Sequence, residues 1–261
     1  MTRSLPFDAE TSRRLEALYA GPDAQRRRRE VLRMLAPSAG ERVLDVGCGP
    51  GFLTAEIAAI VGTGGRVHAI DASESMLALA AARCASLPQV TLAPGDAARL
   101  EVADAAFDAA ASVQVHEYVR DIEGGLRELC RALRPGGRLL LVATDWDSIV
   151  WGSDDPRRMA RVLDAFDEHL AHAHLPARLA PLLREAGFRD PSCEVLVQLN
   201  PALEAGSYSH GLLDLIQRFV PGRRGVTQQE ADAWAEEQRE RGRRGEYFFS
   251  LNQYLFLASK P

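Results

Sequence analysis

Three glycines at alternate positions, Gly47, Gly49 and Gly51, follow a short apolar run and an acid in Val43-Leu44-Asp45-Val46-Gly47-Cys48-Gly49-Pro50-Gly51. Backbone without β-carbons approaches a ligand where any side chain would collide, so this spacing reads as a strand-to-helix turn that holds a cofactor. A dinucleotide turn needs a third small residue where its helix packs on the strand; Phe52 stands there instead, and the pattern is GxGxG. No Lys-Ser/Thr pair follows to meet phosphates, which counts against a nucleoside triphosphate. Twenty residues beyond Gly51, the run Val67-His68-Ala69-Ile70 ends in Asp71, an acid placed to hydrogen-bond two ribose hydroxyls. Read singly, Asp71 is a strand-end acid or a helix cap; its distance from the glycine turn gives it the binding role.

These residues need elements to position them. Strands and helices alternate from Glu41 to Ala143: helices over 52–60, with Phe52, Leu53, Ile57 and Ile60 on one buried face, over 73–85, and over 121–133 with Asp121 as N-cap. Strands are expected at 43–46, 67–71, 90–93 and 107–113, and a fifth after the turn Pro135-Gly136-Gly137. Such alternation argues for a parallel sheet with helices on both faces. Upstream, one or two helices over 8–36 break at Gly21-Pro22, with Tyr19 packing or closing over a substrate and Arg26-Arg27-Arg28-Arg29 on a solvated face. Downstream, helices are expected over 156–174, 178–186, 208–220 and 227–241, the last with Thr227 and Glu230 in capping-box positions. A short strand at 195–199 and a two-sided apolar strand at 247–257 complete the pattern.

In order and spacing, the blocks from Glu41 to Ala143, with Pro94-Gly95-Asp96-Ala97 and Leu133-Arg134-Pro135-Gly136-Gly137 among them, resemble the class I S-adenosylmethionine (SAM) dependent methyltransferases. The long helical additions look most like bacterial members that methylate quinones, other lipids or secondary metabolites. The resemblance implies an α/β fold: a Rossmann-like, seven-stranded, mostly parallel sheet with an antiparallel last strand beside the fifth, helices on both faces, and helical lid insertions. One domain would span 1–261, its SAM-binding core at 40–143 and substrate-covering segments at 8–36, 151–174 and 202–245. SAM would be held by Asp45, Gly47, Cys48, Gly49, Gly51, Asp71, Ala72, Met76, Gly95, Asp96, Ala97 and Gln114. Asp96 would take the adenine amine, and Asp45 would support the turn or the ammonium group. The family lines its methyl-transfer site from the segment after strand four, here Gln114-Val115-His116-Glu117-Tyr118. His116 is expected as base or acceptor-orienting group because it alone there titrates near neutral pH, with Tyr118 and Gln114 positioning the acceptor and Asp145 and Trp146 after strand five touching substrate. Relatives commonly carry paired histidines nearby, a pair this chain does not keep. The implied activity is direct displacement of the methyl group onto a small-molecule acceptor; the alternative is a SAM-binding protein without transfer, a cyclase-like scaffold or regulator.

Composition narrows the partners. With 261 residues and 46% hydrophobic content the chain can bury a full core, and a net charge of -5 creates no global field for nucleic acid. No basic or aromatic RNA-binding module is recognised within these 261 residues, so an RNA substrate is not expected. Cys48, Cys84, Cys130 and Cys193 form no CxxC pair and are expected as reduced thiols. Met1 to Phe7 lacks the apolar core of a signal peptide, and no stretch reaches the roughly 18 apolar residues of a membrane span, so a cytoplasmic protein is expected, as monomer or homodimer. His169, His172 and His174 lack the i, i+4 spacing of a helical metal pair, and no metal is expected.

Overall fold

The computed structural model describes residues 9–261; the expectations for Met1 to Phe7, and Asp8 at the start of the first covering segment, lie outside the described residues. A seven-stranded sheet has the order β3-β2-β1-β4-β5-β7-β6. Its strands are β1 (Arg42–Val46), β2 (Arg66–Asp71), β3 (Val90–Pro94), β4 (Phe107–Val113), β5 (Leu133–Trp151), β6 (Arg189–Asn200) and β7 (Phe249–Ser259). The pairs β1–β2, β2–β3, β1–β4 and β4–β5 are parallel, while β7 runs antiparallel between β5 and β6. This is the expected mostly parallel sheet with its last strand inserted beside the fifth.

The helices are α1 (Ala9–Ala20), α2 (Pro22–Leu35), α3 (Phe52–Val61), α4 (Glu74–Cys84), α5 (Ile122–Ala132), α6 (Pro156–Phe166), α7 (Leu175–Glu185), α8 (Tyr208–Phe219) and α9 (Gln228–Arg243). Successive strand side chains point to opposite faces, and β5 displays both. Leu139 and Leu141 pack with α5 and α7 on one side, and Leu140 and Val142 with α2 and α3 on the other. A third core, holding Trp151, Phe166, Trp234 and Phe249, gathers α6, α8 and α9 into a helical cap. Caps fall where polar side chains can take orphan helix amides: Asp121 accepts from Gly124 N at 2.8 Å and Thr227 from Glu230 N at 3.1 Å. The Glu230 carboxylate goes to Arg161, so the capping box is half closed.

Several local expectations change. Ile60 is 40% exposed and Val61 takes the buried position at the end of α3. Asp145 and Trp146 do not follow the fifth strand but lie within it, because β5 runs on to pair with β7. The helix expected to reach His174 stops at Phe166, followed by a single 3-10 turn at Asp167–His169. Beyond it, the Ala171 and His172 amides donate to Glu117 O at 2.9 and 3.0 Å, so a tertiary partner replaces the helix's own carbonyls.

Candidate active site

The glycine turn is tied to β2 by the Gly47 and Cys48 amides, which both donate to Ile70 O at 2.8 and 2.9 Å. Gly47 has φ +71°, and a β-carbon there would stand 2.2 Å from Val115 Cγ2; at Gly51 it would meet Ala80 Cα at 2.9 Å. The first glycine lets the segment after β4 close on the turn, and the third lets α4 pack behind it. Asp71 at the end of β2 accepts from Gly49 N at 2.8 Å and Ser73 N at 2.9 Å, fixing its carboxylate against the turn. Asp45 is buried, accepts from Thr54 Oγ1 at 2.6 Å, and has its pKa pushed up to about 6 by desolvation.

Strand order reverses between β1 and β4, and a cavity of about 650 Å³ opens there. Asp45, Gly47, Cys48, Gly49, Asp71, Ala72, Met76, Gly95, Asp96, Ala97, Gln114 and Tyr118 all line it; Gly51 does not, standing behind the turn against α4. The additions to the core contribute Leu15, Leu18 and Tyr19 from α1, Phe166 from the end of α6, His169 from the 3-10 turn after it, and Tyr208, Leu212 and Leu215 from α8. Trp146 completes an aromatic end, 5.4 Å from Phe166 and 5.0 Å from His169 between ring centroids. Leu213, Ile216, Phe219 and Trp234 pack instead into the cap core.

His116 is not brought to this cavity. After Gln114, whose φ is +55°, the chain makes one tight turn in which Tyr118 N donates to Val115 O, so Val115 and Tyr118 face the cavity together. His116 falls on the other side, fully buried, with Nδ1 2.9 Å from Ser112 Oγ and Nε2 without a partner. Burial pulls its pKa to about 4, which favours the neutral ring at physiological pH, and its side chain is not part of the cavity lining, where the base or orienting group was expected. The three late histidines diverge: His169 Nδ1 meets Phe166 O, His172 Nε2 meets Val119 O at 2.9 Å, and His174 Nδ1 lies 3.1 Å from Asp147 Oδ2.

Residues that composition hid occupy the cavity wall. Arg27 and Arg28, expected on a solvated face, are 4% and 8% exposed and line the cavity. The signal was the helical period itself, since Ala24, Arg27, Arg28 and Val31 share one face of α2. Arg28 donates to Tyr19 O at 2.6 Å and Glu56 Oε1 at 2.8 Å and lies 4.8 Å over the Phe52 ring. Arg27 donates to Gln114 Oε1 and stands 5.8 Å over the Tyr19 ring. Gln114 Nε2 in turn donates to Thr144 Oγ1 at 2.8 Å. Glu117 is fully buried with both carboxyl oxygens unpartnered; Thr144 stands near but in no hydrogen-bond geometry, and desolvation pushes the pKa up to about 8.

Compared with known proteins, residues 43–137 match a family described as a methyltransferase domain. The chain is 30% identical over 191 residues to a demethylmenaquinone methyltransferase of Symbiobacterium thermophilum, covering 64% of this chain and 76% of that protein. It is 34% identical over 164 residues to the O-methyltransferase cnsE of Penicillium expansum, covering 62% of this chain and 56% of that one. The chain spans about half the length of most of the curated relatives it matches. Its fold is like that of phosphoethanolamine N-methyltransferase 2 of Haemonchus contortus in complex with SAM, at TM-score 0.65 and 20% identity over 98% of this chain and 58% of the other.

Proposed function

Because the chain belongs to the class I SAM-dependent methyltransferases, we propose that it transfers the methyl group of SAM to a small-molecule acceptor by direct displacement. The observation that carries this reading is the union of Asp71 with the glycine turn in the wall of one cavity at the strand-order reversal. The cavity residues fit SAM: bare backbone at Gly47 and Gly49 for the methionine part, the Asp71 carboxylate for ribose hydroxyls, Asp96 for the adenine amine, and Met76 and Ala97 as apolar flanks. Bound SAM supplies an activated methyl sulfonium. What remains for the protein is to align an acceptor and exclude water, contributions that reach several kcal/mol. Tyr19, Tyr118, Gln114 and Tyr208 are the polar groups placed to orient it, and α1, α8 and the turn after α6 are the covering elements.

The relatives named demethylmenaquinone methyltransferase and O-methyltransferase support a quinone or other small-molecule acceptor, within the quinone, lipid-like or secondary-metabolite range expected, and favour transfer over a scaffold that only binds SAM. Among the described residues no helix is long and apolar enough to cross a membrane. The net charge of -5 supports action without nucleic acid. A nicotinamide dinucleotide, which needs a small residue after the glycine turn, would meet Phe52 there, its ring flanked by the Arg28 and Arg83 guanidiniums at 4.8 and 3.4 Å. Calorimetry with S-adenosylhomocysteine tests the reading. Asp71→Ala is expected to lose about 10- to 150-fold in affinity, the equivalent of about 1.5–3 kcal/mol for a lost charged acceptor. Unchanged affinity in that variant, or tight binding of NAD, would overturn the assignment. Release of S-adenosylhomocysteine from SAM with a library of quinols, phenols and lipids tests transfer itself.

A further inference from the structure

Arg27 is a buried cation without a counter-charge. It stands in the cavity wall at 4% exposure, its Nε has no partner, and among the described residues no carboxylate oxygen lies within 4.0 Å of it. Its neighbours are neutral: the Gln114 amide accepts one N–H, and the Tyr19 and Tyr208 phenols lie around it. Arg28, of like charge, already pairs with Glu56 at 2.8 Å. The Glu117 carboxyl acts on Arg27 from the segment after β4 without coming within 4.0 Å of it, and burial, which pushes its pKa up to about 8, favours its neutral form at pH 7. A guanidinium taken out of water is tolerated where a hydrogen-bonded anion completes it, and its planar fork suits an oxyanion. The surrounding wall is apolar and aromatic, with Tyr118, Trp146, Phe166 and Leu212.

On the basis of the methyltransferase reading, we infer that the acceptor is an apolar, aromatic-sized molecule bearing an oxyanion, a carboxylate or phenolate, and that Arg27 with Gln114 is the site that binds it. The two neighbouring arginines divide the cavity: Arg28 lies against Phe52 and Glu56 of α3, beside the glycine turn, while Arg27 reaches toward Gln114 and Tyr208, the side covered by α8. An acceptor oxyanion and the carboxylate of the cofactor's methionine share the same chemistry, and the test separates them.

The probes are 2-naphthoate and 2-naphthamide, nearly equal in shape and different in charge, titrated by calorimetry into protein saturated with S-adenosylhomocysteine at pH 7. Naphthoate is expected to bind at least tenfold more tightly than the amide. In Arg27→Met the two dissociation constants are expected within threefold of each other, with S-adenosylhomocysteine affinity within threefold of wild type. Arg27→Gln serves if the Met variant does not fold. Equal affinities on the wild-type protein, binding of neither probe included, would overturn the inference, as would a preference that survives removal of the charge. A tenfold or greater loss of S-adenosylhomocysteine affinity in the Arg27 variants would overturn it in favour of the cofactor carboxylate. Failure of the wild-type protein to bind S-adenosylhomocysteine at all would defeat the methyltransferase reading beneath it.

Discussion

Glu117 is a buried carboxylic acid whose oxygens have no hydrogen-bond partner, and that makes it visible in stability against pH. Its folded pKa of about 8 lies above that of an unfolded glutamate, so folding holds a proton the unfolded chain releases. Its contribution is fully present below about pH 4.5 and is lost as pH rises toward 8, by at most about 1.4 kcal/mol per pH unit. Glu117→Gln is therefore expected to match the wild type in urea unfolding at pH 5 and to exceed it at pH 8 by about 2–4 kcal/mol. An equal difference at both pH values would show that Glu117 ionises freely in the fold. His116 acts in the opposite sense: with its pKa pulled to about 4, its contribution is present above about pH 6.5 and lost as pH falls through 4. His116→Asn is expected to alter acid stability and leave the pH profile of turnover unshifted; a displaced profile would restore a role in proton transfer. At the turn, Gly47→Ala places a β-carbon at positive φ and 2.2 Å from Val115 Cγ2. The backbone term alone costs about 1–2 kcal/mol, to be read as a lowered urea midpoint together with weakened S-adenosylhomocysteine binding.

Among the elements, α2 and α8 are coupled by one carboxylate. Asp23 Oδ2 accepts from Tyr208 N at 2.8 Å and from Asn200 Nδ2 at 2.9 Å, while Asn200 Oδ1 accepts from Ser209 N at 3.0 Å. The acid thus joins the first turn of α2, the end of β6 and the N-terminus of α8, where a negative charge also meets the positive end of the helix dipole. Arg27 lies one turn along α2 from Asp23, and Tyr208 is the residue whose amide Asp23 holds, so the junction stands next to both in the cavity wall. Asp23→Ala leaves two donors without their acceptor and is expected to cost about 1–3 kcal/mol. Hydrogen exchange gives the sharper readout: amides in the first turns of α8 should exchange faster while those of β1 and β4 keep their protection. Unchanged protection across α8 would mean that the Ser207 cap and the cap core hold the helix without Asp23.

At the scale of the molecule, the cavity lies between two separately packed bodies of apolar side chains. The sheet with α2, α3, α5 and α7 forms one, and the cap of α6, α8 and α9 around Trp151 and Trp234 forms the other. A ligand that bridges sheet turn and cap should therefore stabilise the whole chain. S-adenosylhomocysteine at a free concentration of 100 times its dissociation constant adds about 2.7 kcal/mol by mass action, several degrees in Tm, whereas NAD at equal concentration should add nothing. A shift with NAD alone would reverse the choice between the two cofactors.

The sequence by itself determined the sheet and its glycine turn, because those signals are local. Apolar runs of strand length, glycines where positive φ is needed, and the acids Asp45 and Asp71 near the ends of β1 and β2 are written within a few residues of one another, while the order of the strands came from the family resemblance. Gly47, Gly49 and Asp71 were legible as cavity residues for that reason, whereas Asp96 was singled out only through the family resemblance. Only the tertiary structure decided which side of a one-turn segment would face the cavity, sending Tyr118 in and His116 away. It also decided that an arginine run would be half buried, since charge density suggests solvent while the period of α2 carries Arg27 and Arg28 inward beside Val31. Burial is a property of what packs against a residue, and the partners that desolvate Arg27 and Glu117 come from helices and strands far along the chain.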